Sequence, residues 1–162
     1  MNCIVIGDMG KGTSGQFNVA KAMKKLYTKN RIKFVISLGD NIYPNGCISV
    51  DDKEFQDKFE IPYSILPDDR WYMCLGNHDY GYYSGDHGYK GNSIHQIEYT
   101  NHSNKWFMPS NYYSFTKGLV EFFYLDTNFD MMSDKLIETQ LKTMKHALDS
   151  SKKQWKIVVG HH

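Results

Sequence analysis

Three cysteines in 162 residues, Cys3, Cys47 and Cys74, are too few and too widely spaced to frame a disulfide-stapled domain or a Cys-built zinc site. Cys3 and Cys74 lie in apolar runs, where a thiol behaves as a small buried hydrophobe. Neither sign of charge prevails. Nineteen Lys+Arg against eighteen Asp+Glu leave a formal charge of +1, so no electrostatic footprint points to nucleic acid. No apolar run approaches the ~20 residues of a membrane-spanning helix. Met1 leads at once into Cys3-Ile4-Val5-Ile6, without the basic segment and apolar stretch of a secretory leader. The expectation is an intracellular, reduced protein.

Aromatic residues, by contrast, are plentiful: 12 Tyr, 9 Phe and 3 Trp, a content that excludes disorder. With 41% hydrophobic and 23% charged residues, the chain suits a single folded domain with a solvated surface. The patterns alternate strand and helix, which argues for an α/β class. Strands are expected at 2–7, 34–38 and 71–75, with a helix over 16–29 carrying Val19, Ala20, Met23, Leu26 and Tyr27 on one face. Lys24, Lys25 and Lys29 near that helix's end read as cations complementing its C-terminus rather than as an anion patch. A short acidic helix is expected over 51–60, a polar Gly- and Tyr-rich stretch from Gly81 to Gly91, and a strand pair near 111–116 and 119–125. Ser133 is placed to cap a helix presenting Ile137, Leu141, Met144 and Leu148, and Trp155–Val159 reads as a final, buried strand.

The chemistry concentrates where strands end. Four apolar runs each finish in a glycine followed by a residue able to ligate metal: Ile6-Gly7-Asp8, Leu38-Gly39-Asp40, Leu75-Gly76-Asn77 and Val159-Gly160-His161. In open α/β sheets sites form beyond the carboxyl ends of strands, where such loops converge. One Gly-Asp is an ordinary turn. Four deliver two carboxylates, an amide and an imidazole, a set suited to Fe, Mn or Zn.

Gly7-Asp8-Met9-Gly10, Gly39-Asp40-Asn41-Ile42-Tyr43, Gly76-Asn77-His78-Asp79 and Val158-Val159-Gly160-His161 together resemble the ordered motifs of calcineurin-like metallophosphoesterases. The resemblance is to the purple acid phosphatase branch, of the tartrate-resistant type. The first motif lacks the histidine that many members carry, and Tyr43 stands where the purple branch has its tyrosine. Further similar segments are Gln96-Ile97-Glu98-Tyr99-Thr100, Trp106-Phe107-Met108-Pro109, Tyr112-Tyr113-Ser114-Phe115 and Asp126-Thr127-Asn128.

The resemblance implies an αββα sandwich of two mixed sheets flanked by helices. It implies two metal ions: Fe(III) held by Asp8, Tyr43 and the bridging Asp40, and Fe(II), Zn or Mn held by Asp40, Asn77 and His161. His78 would face the phosphate and protonate the leaving oxygen, with Asn77 also on the substrate and Asp79 a candidate to orient His78. The implied reaction is hydrolysis of phosphate monoesters, on a phosphorylated small molecule or a phosphoprotein, by a metal-bound hydroxide. Two alternatives stay open: a phosphodiesterase or nucleotide hydrolase using the same site, and a non-catalytic binding or scaffold protein that keeps the fold. Family relatives are often secreted or lysosomal. They also carry further histidines in a Gly-His-x-His arrangement beyond the last motif. The expectation is that 1–162 is the N-terminal portion of such a domain, lacking its C-terminal strands and weakly active or inactive alone. Residues 81–90 look like an insertion relative to the family, with Tyr82, Tyr83 and Tyr89 as candidates to stack on a substrate. His87, His95, His102 and His146 match no motif.

Overall fold

The structure is a computed structural model that describes residues 2–81 and 93–162. Apart from Gly81, the expected 81–90 insertion lies outside the described residues.

Ile32–Ser37 (β2) is rich in β-branched and aromatic residues and almost wholly buried, as a strand flanked on both sides must be. Asn2–Ile6 (β1) pairs along one edge of it, and Trp71–Tyr72 (β3) with Trp106–Phe107 (β4) extends the other, in the order β1-β2-β3-β4. All three ladders are parallel. Parallel neighbours need a crossover, and Ser14–Asn30 (α1) supplies the first. Its buried stripe is Gln16, Ala20 and Met23, at helical spacing. Val19 and Leu26, expected on that face, flank the stripe and stay exposed.

The expected 51–60 helix is one turn, Lys53–Phe55 (α2), that widens into a π-helical turn at Gln56–Glu60. Asp52 caps it, its carboxylate accepting from the Glu54 N–H at 3.1 Å. Phe55 and Phe59 then point the same way, with Phe55 stacked on Tyr99 at 3.7 Å and Phe59 edge-on to Trp71 and Trp106. The third strand pairs only at Trp71–Tyr72, after which Met73-Cys74-Leu75 stays buried as the chain heads for the site. A short helix, Ser93–Glu98 (α3), precedes β4.

Tyr113–Lys117 (β5) and Val120–Tyr124 (β6) form an antiparallel pair, and Trp155–Val159 (β7) joins β6 in parallel after the crossover helix Asp134–Ser150 (α4). The fold is therefore α/β with two sheets, the first parallel and the second mixed. Aromatic rings join the sheets: Tyr72 stacks on Phe115 at 3.6 Å, and Phe34 meets Phe122 edge-on at 5.7 Å. Each such pair contributes about 0.5–1.5 kcal/mol beyond the area it buries. Two phenols cross the same seam, Tyr113 donating to the Met73 carbonyl at 2.8 Å and Tyr124 to the Tyr72 carbonyl at 3.2 Å.

Two expectations of burial are corrected. On α4, capped by Ser133 as expected, Met144 is buried but Leu141 is 48% exposed. Gln140 takes the inward position because its amide closes both ways on the Asp126 backbone, accepting at 2.8 Å and donating at 2.9 Å. On β7 only Val159 is buried, and Trp155, Ile157 and Val158 are exposed. Among the described residues β7 is an edge strand, paired with β6 on one side only.

Candidate metal centre

The loops after β1 and β2 lie side by side. Asp8 N donates to Gly39 O at 3.0 Å, Met9 N to Asp40 O at 3.2 Å, and Tyr43 N to Gly10 O at 2.8 Å. Both aspartates adopt left-handed backbone, with φ of 55° at Asp8 and 52° at Asp40. A non-glycine residue there costs roughly 1–2 kcal/mol, least for short polar side chains, and the two strained turns project both carboxylates to one side. Gly39, at φ 91°, must be glycine: a Cβ would lie 2.7 Å from Gly76 N and 2.8 Å from the Leu75 carbonyl carbon. Gly76 in turn sits directly against the Asp40 carboxylate, where no side chain fits.

Asp40 is the hub. It is buried, its Oδ1 accepts from the His78 N–H at 3.0 Å, and its Oδ2 accepts from the Tyr43 hydroxyl at 2.5 Å. The same hydroxyl lies 2.8 Å from Asp8 Oδ1. One phenolic proton thus faces two carboxylates. Burial, then the hydrogen bonds to Asp40 and Asp8, hold the Tyr43 phenol far above its ordinary range. Gathered acidic oxygens that must share one proton are what a polyvalent cation neutralises.

The imidazoles are anchored from behind. His161 Nδ1 lies 2.7 Å from Leu38 O, and His78 Nδ1 lies 2.5 Å from Pro44 O. A carbonyl only accepts, so each Nδ1 carries a hydrogen and each Nε2 is left to the site. These free Nε2 atoms face the hub, His161 at 3.7 Å from Asp40 Oδ1 and His78 at 4.0 Å from Asp40 Oδ2. Ligand atoms of Asp8, Asp40 and His161 all fall within 4.8 Å of one another. Two carboxylates, a phenol oxygen and an imidazole nitrogen whose other nitrogen is tied to backbone fit a metal-ion site.

Of the sequence-predicted residues, Asp8, Asp40, Tyr43, His78 and His161 come together. Asn77 heads the 3-10 turn His78–Tyr80, next to Gly76 and half-buried. The expected pairing of Asp79 with His78 is corrected. The Asp79 carboxylate is fully buried and turned away, accepting from the backbone N–H groups of Asn41, Ile42 and Gly76 at 2.9–3.1 Å and from the Gln96 amide at 2.8 Å. Burial pushes its pKa up to about 6 against the pull of those donors. It holds the second and third loops together, while the Pro44 carbonyl orients His78.

Sequence reasoning missed this supporting layer. Asn41, fully buried, donates its amide to Cys74 O at 2.7 Å, and Asn128 donates to Leu75 O at 3.2 Å. Thr127 Oγ1 accepts from the N–H groups of His161 and His162, at 3.1 and 2.9 Å. Each lies inside a segment that the resemblance had flagged, but nothing in a residue's type announces which backbone group it will satisfy.

The sequence profile of the calcineurin-like phosphoesterase family matches residues 1–162. Purple acid phosphatase 17 of Arabidopsis thaliana is 33% identical over 180 residues, covering 98% of this chain and 51% of the relative. Human tartrate-resistant acid phosphatase type 5 is 31% identical over 187 residues, covering 98% and 55%. The chain spans about half the length of the curated relatives it matches. Among solved structures, GAP50, the anchor in the inner membrane complex of Plasmodium, superposes with a TM-score of 0.73 at 23% identity, covering 98% of this chain and 53% of that one. The purple acid phosphatase PPD1 from yellow lupin (Lupinus luteus) seeds gives 0.66 at 19%, covering 96% and 29%.

Proposed function

The chain belongs to the calcineurin-like phosphoesterase family, and from that premise we propose that the protein hydrolyses phosphate monoesters at a binuclear metal centre of the purple acid phosphatase kind. Family membership and the acid phosphatase relatives support phosphate ester hydrolysis in general. The observation that carries the finer reading is the convergence of Asp8, Asp40, Tyr43 and the His161 Nε2 on one point.

Asp8, Tyr43 and Asp40 would hold Fe(III); Asp40, Asn77 and His161 would hold Fe(II), Zn or Mn. When bound, such ions lower the pKa of water and draw charge from phosphate oxygens. The chain's own residues do the rest. The Leu38 carbonyl orients the His161 ring through Nδ1, and Pro44 O does the same for the His78 ring. His78 Nε2, aimed into the site but not tied to a backbone group, is positioned to stabilise charge on a phosphate oxygen and to move a proton toward the leaving group. Asn77, beside it, would bind a phosphate oxygen through its amide. The substrate is proposed as a phosphorylated small molecule or a phosphoprotein.

The test is metal loading. With ferric ion and zinc, the chain should bind metal by elemental analysis and show a phenolate-to-iron absorption band that Tyr43→Phe abolishes. Failure of the chain to retain either ion would overturn the proposal. A second reading, a non-catalytic binding protein, is favoured by the fact that this fold also occurs in an anchor protein. Metal-free folding with no effect of metal on the unfolding midpoint would select it.

A further inference from the structure

Asn77 and His161 reach the candidate centre on separate loops, one following β3 and one following β7. Both loops rest on a third, Asp126-Thr127-Asn128 after β6, to which no ligand role falls. Asn128 donates from its amide to Leu75 O at 3.2 Å, two residues before Asn77. Thr127 Oγ1 accepts the N–H groups of both His161 and His162, at 3.1 and 2.9 Å. Two successive N–H groups on one oxygen pin the backbone on either side of the His161 Cα. The Thr127 methyl closes the same turn. A Cβ added to Gly160 would lie 2.6 Å from Thr127 Cγ2, so the chain enters His161 in direct contact with the threonine.

Thr127 can act as a fixed point because its neighbours are tied. Leu125 N donates to Val159 O at 2.8 Å. The Asp126 carboxylate is fully buried and accepts from the Tyr80 hydroxyl, from the Asn128 N–H at 3.1 Å and from the Asn128 amide at 2.8 Å. Gln140 of α4 holds the Asp126 backbone in both directions. With its backbone held, the His161 side chain has two torsions left to set. They bring Nδ1 to 2.7 Å from Leu38 O and Nε2 to 3.7 Å from Asp40 Oδ1. His161 is thus anchored by its backbone on the second sheet and by its ring on the first. Slack at the Thr127 end swings the ring off Leu38 and its Nε2 away from Asp40.

We infer that Thr127 is a positioning residue: it sets where the His161 Nε2 stands, and through it the affinity for the ion that His161 and Asn77 would share. The statement about the ion rests on the binuclear reading above; the placement of His161 does not. Asp8, Asp40 and Tyr43 are arranged by other means, through backbone hydrogen bonds between the loops after β1 and β2. The influence of Thr127 is therefore confined to one of the two ions. Groups that hold a ligand from behind alter metal affinity roughly 10–100-fold when removed.

Thr127→Val keeps the shape and removes the acceptor, whereas Thr127→Ser keeps the acceptor and removes the methyl. In the EDTA-treated chain, the His161 ring N–H on Leu38 O should exchange slowly with solvent in the parent and in Thr127→Ser, and rapidly in Thr127→Val. In the chain loaded with ferric ion and zinc, chelator competition should show zinc held at least tenfold more weakly by Thr127→Val and within about threefold by Thr127→Ser. The phenolate-to-iron band should keep its position and intensity in both variants. A purely structural role would instead lower retention of both ions together with the urea midpoint. That result, or a Thr127→Val chain whose His161 ring proton stays protected, overturns the inference. Failure of the parent to retain metal counts against the binuclear reading alone, and the metal-free exchange measurement then decides the placement of His161 by itself.

Discussion

Gly39 and Gly118 both adopt left-handed backbone, at φ 91° and 58°, but their surroundings differ completely. A Cβ on Gly118 meets nothing within 4 Å, whereas one on Gly39 would lie 2.7 Å from Gly76 N and 2.8 Å from the Leu75 carbonyl carbon. Alanine at Gly118, in the β5–β6 turn, should therefore pay only the conformational penalty, roughly 1–2 kcal/mol. Alanine at Gly39 adds overpacking against backbone that cannot rotate away, roughly 1–3 kcal/mol more. Relief would require the Asp40 and Gly76 loops to part, so the metal affinity should fall together with stability. Urea unfolding monitored by fluorescence of the buried Trp71 and Trp106 gives both free energies, and matched m-values would certify the comparison. If the two alanine variants agree within about 0.5 kcal/mol, or if Gly39→Ala binds metal as the parent does, the argument from close approach is wrong.

Three further outcomes are expected. On α4, Met144→Ala should destabilise by about 2–5 kcal/mol while Leu141→Ala stays within about 0.5 kcal/mol, read by thermal or urea unfolding. Asp79 titrates near 6 in the folded chain against 3.8 for the free side chain. A raised acid pKa stabilises most below the lower value, and the contribution is lost as pH rises through the higher one, so the parent should lose stability relative to Asp79→Asn between pH 4 and 6. Burial raises the thiol pKa of Cys47 and Cys74 well above the ordinary range, and that of the half-buried Cys3 less steeply. An aromatic disulfide reagent at pH 8 should therefore label Cys3 first and the other two only on unfolding.

The strands and the loop residues were legible because periodicity and Gly-Asp punctuation are local signals. Asp8, Asp40 and His161 followed from the glycine-ended strands, Tyr43 and His78 from the resemblance to the family, and the structure brings these five together. What was not legible depends on partners distant in sequence. Leu141 scans as inward by helical spacing, yet Gln140 displaces it because the Asp126 backbone, 14 residues away, offers both a donor and an acceptor. Asp79 scans as a partner for its neighbour His78, yet backbone donors of Asn41 and Ile42 claim it. Trp155, Ile157 and Val158 scan as interior, and only the strand order reveals that β7 stands at an edge.

The candidate ligands come from both sheets, Asp8 and Asp40 from the ends of β1 and β2, His161 from the end of β7. An ion gripping all three would work as a rivet across the aromatic seam, and its occupancy would be coupled to how firmly the two layers stay docked. Ligand linkage sets the scale: each tenfold rise in free metal above the dissociation constant adds about 1.4 kcal/mol to the unfolding free energy. The lifetime of the folded protein would then follow the supply of metal around it, so that scarcity removes the polypeptide as well as its chemistry.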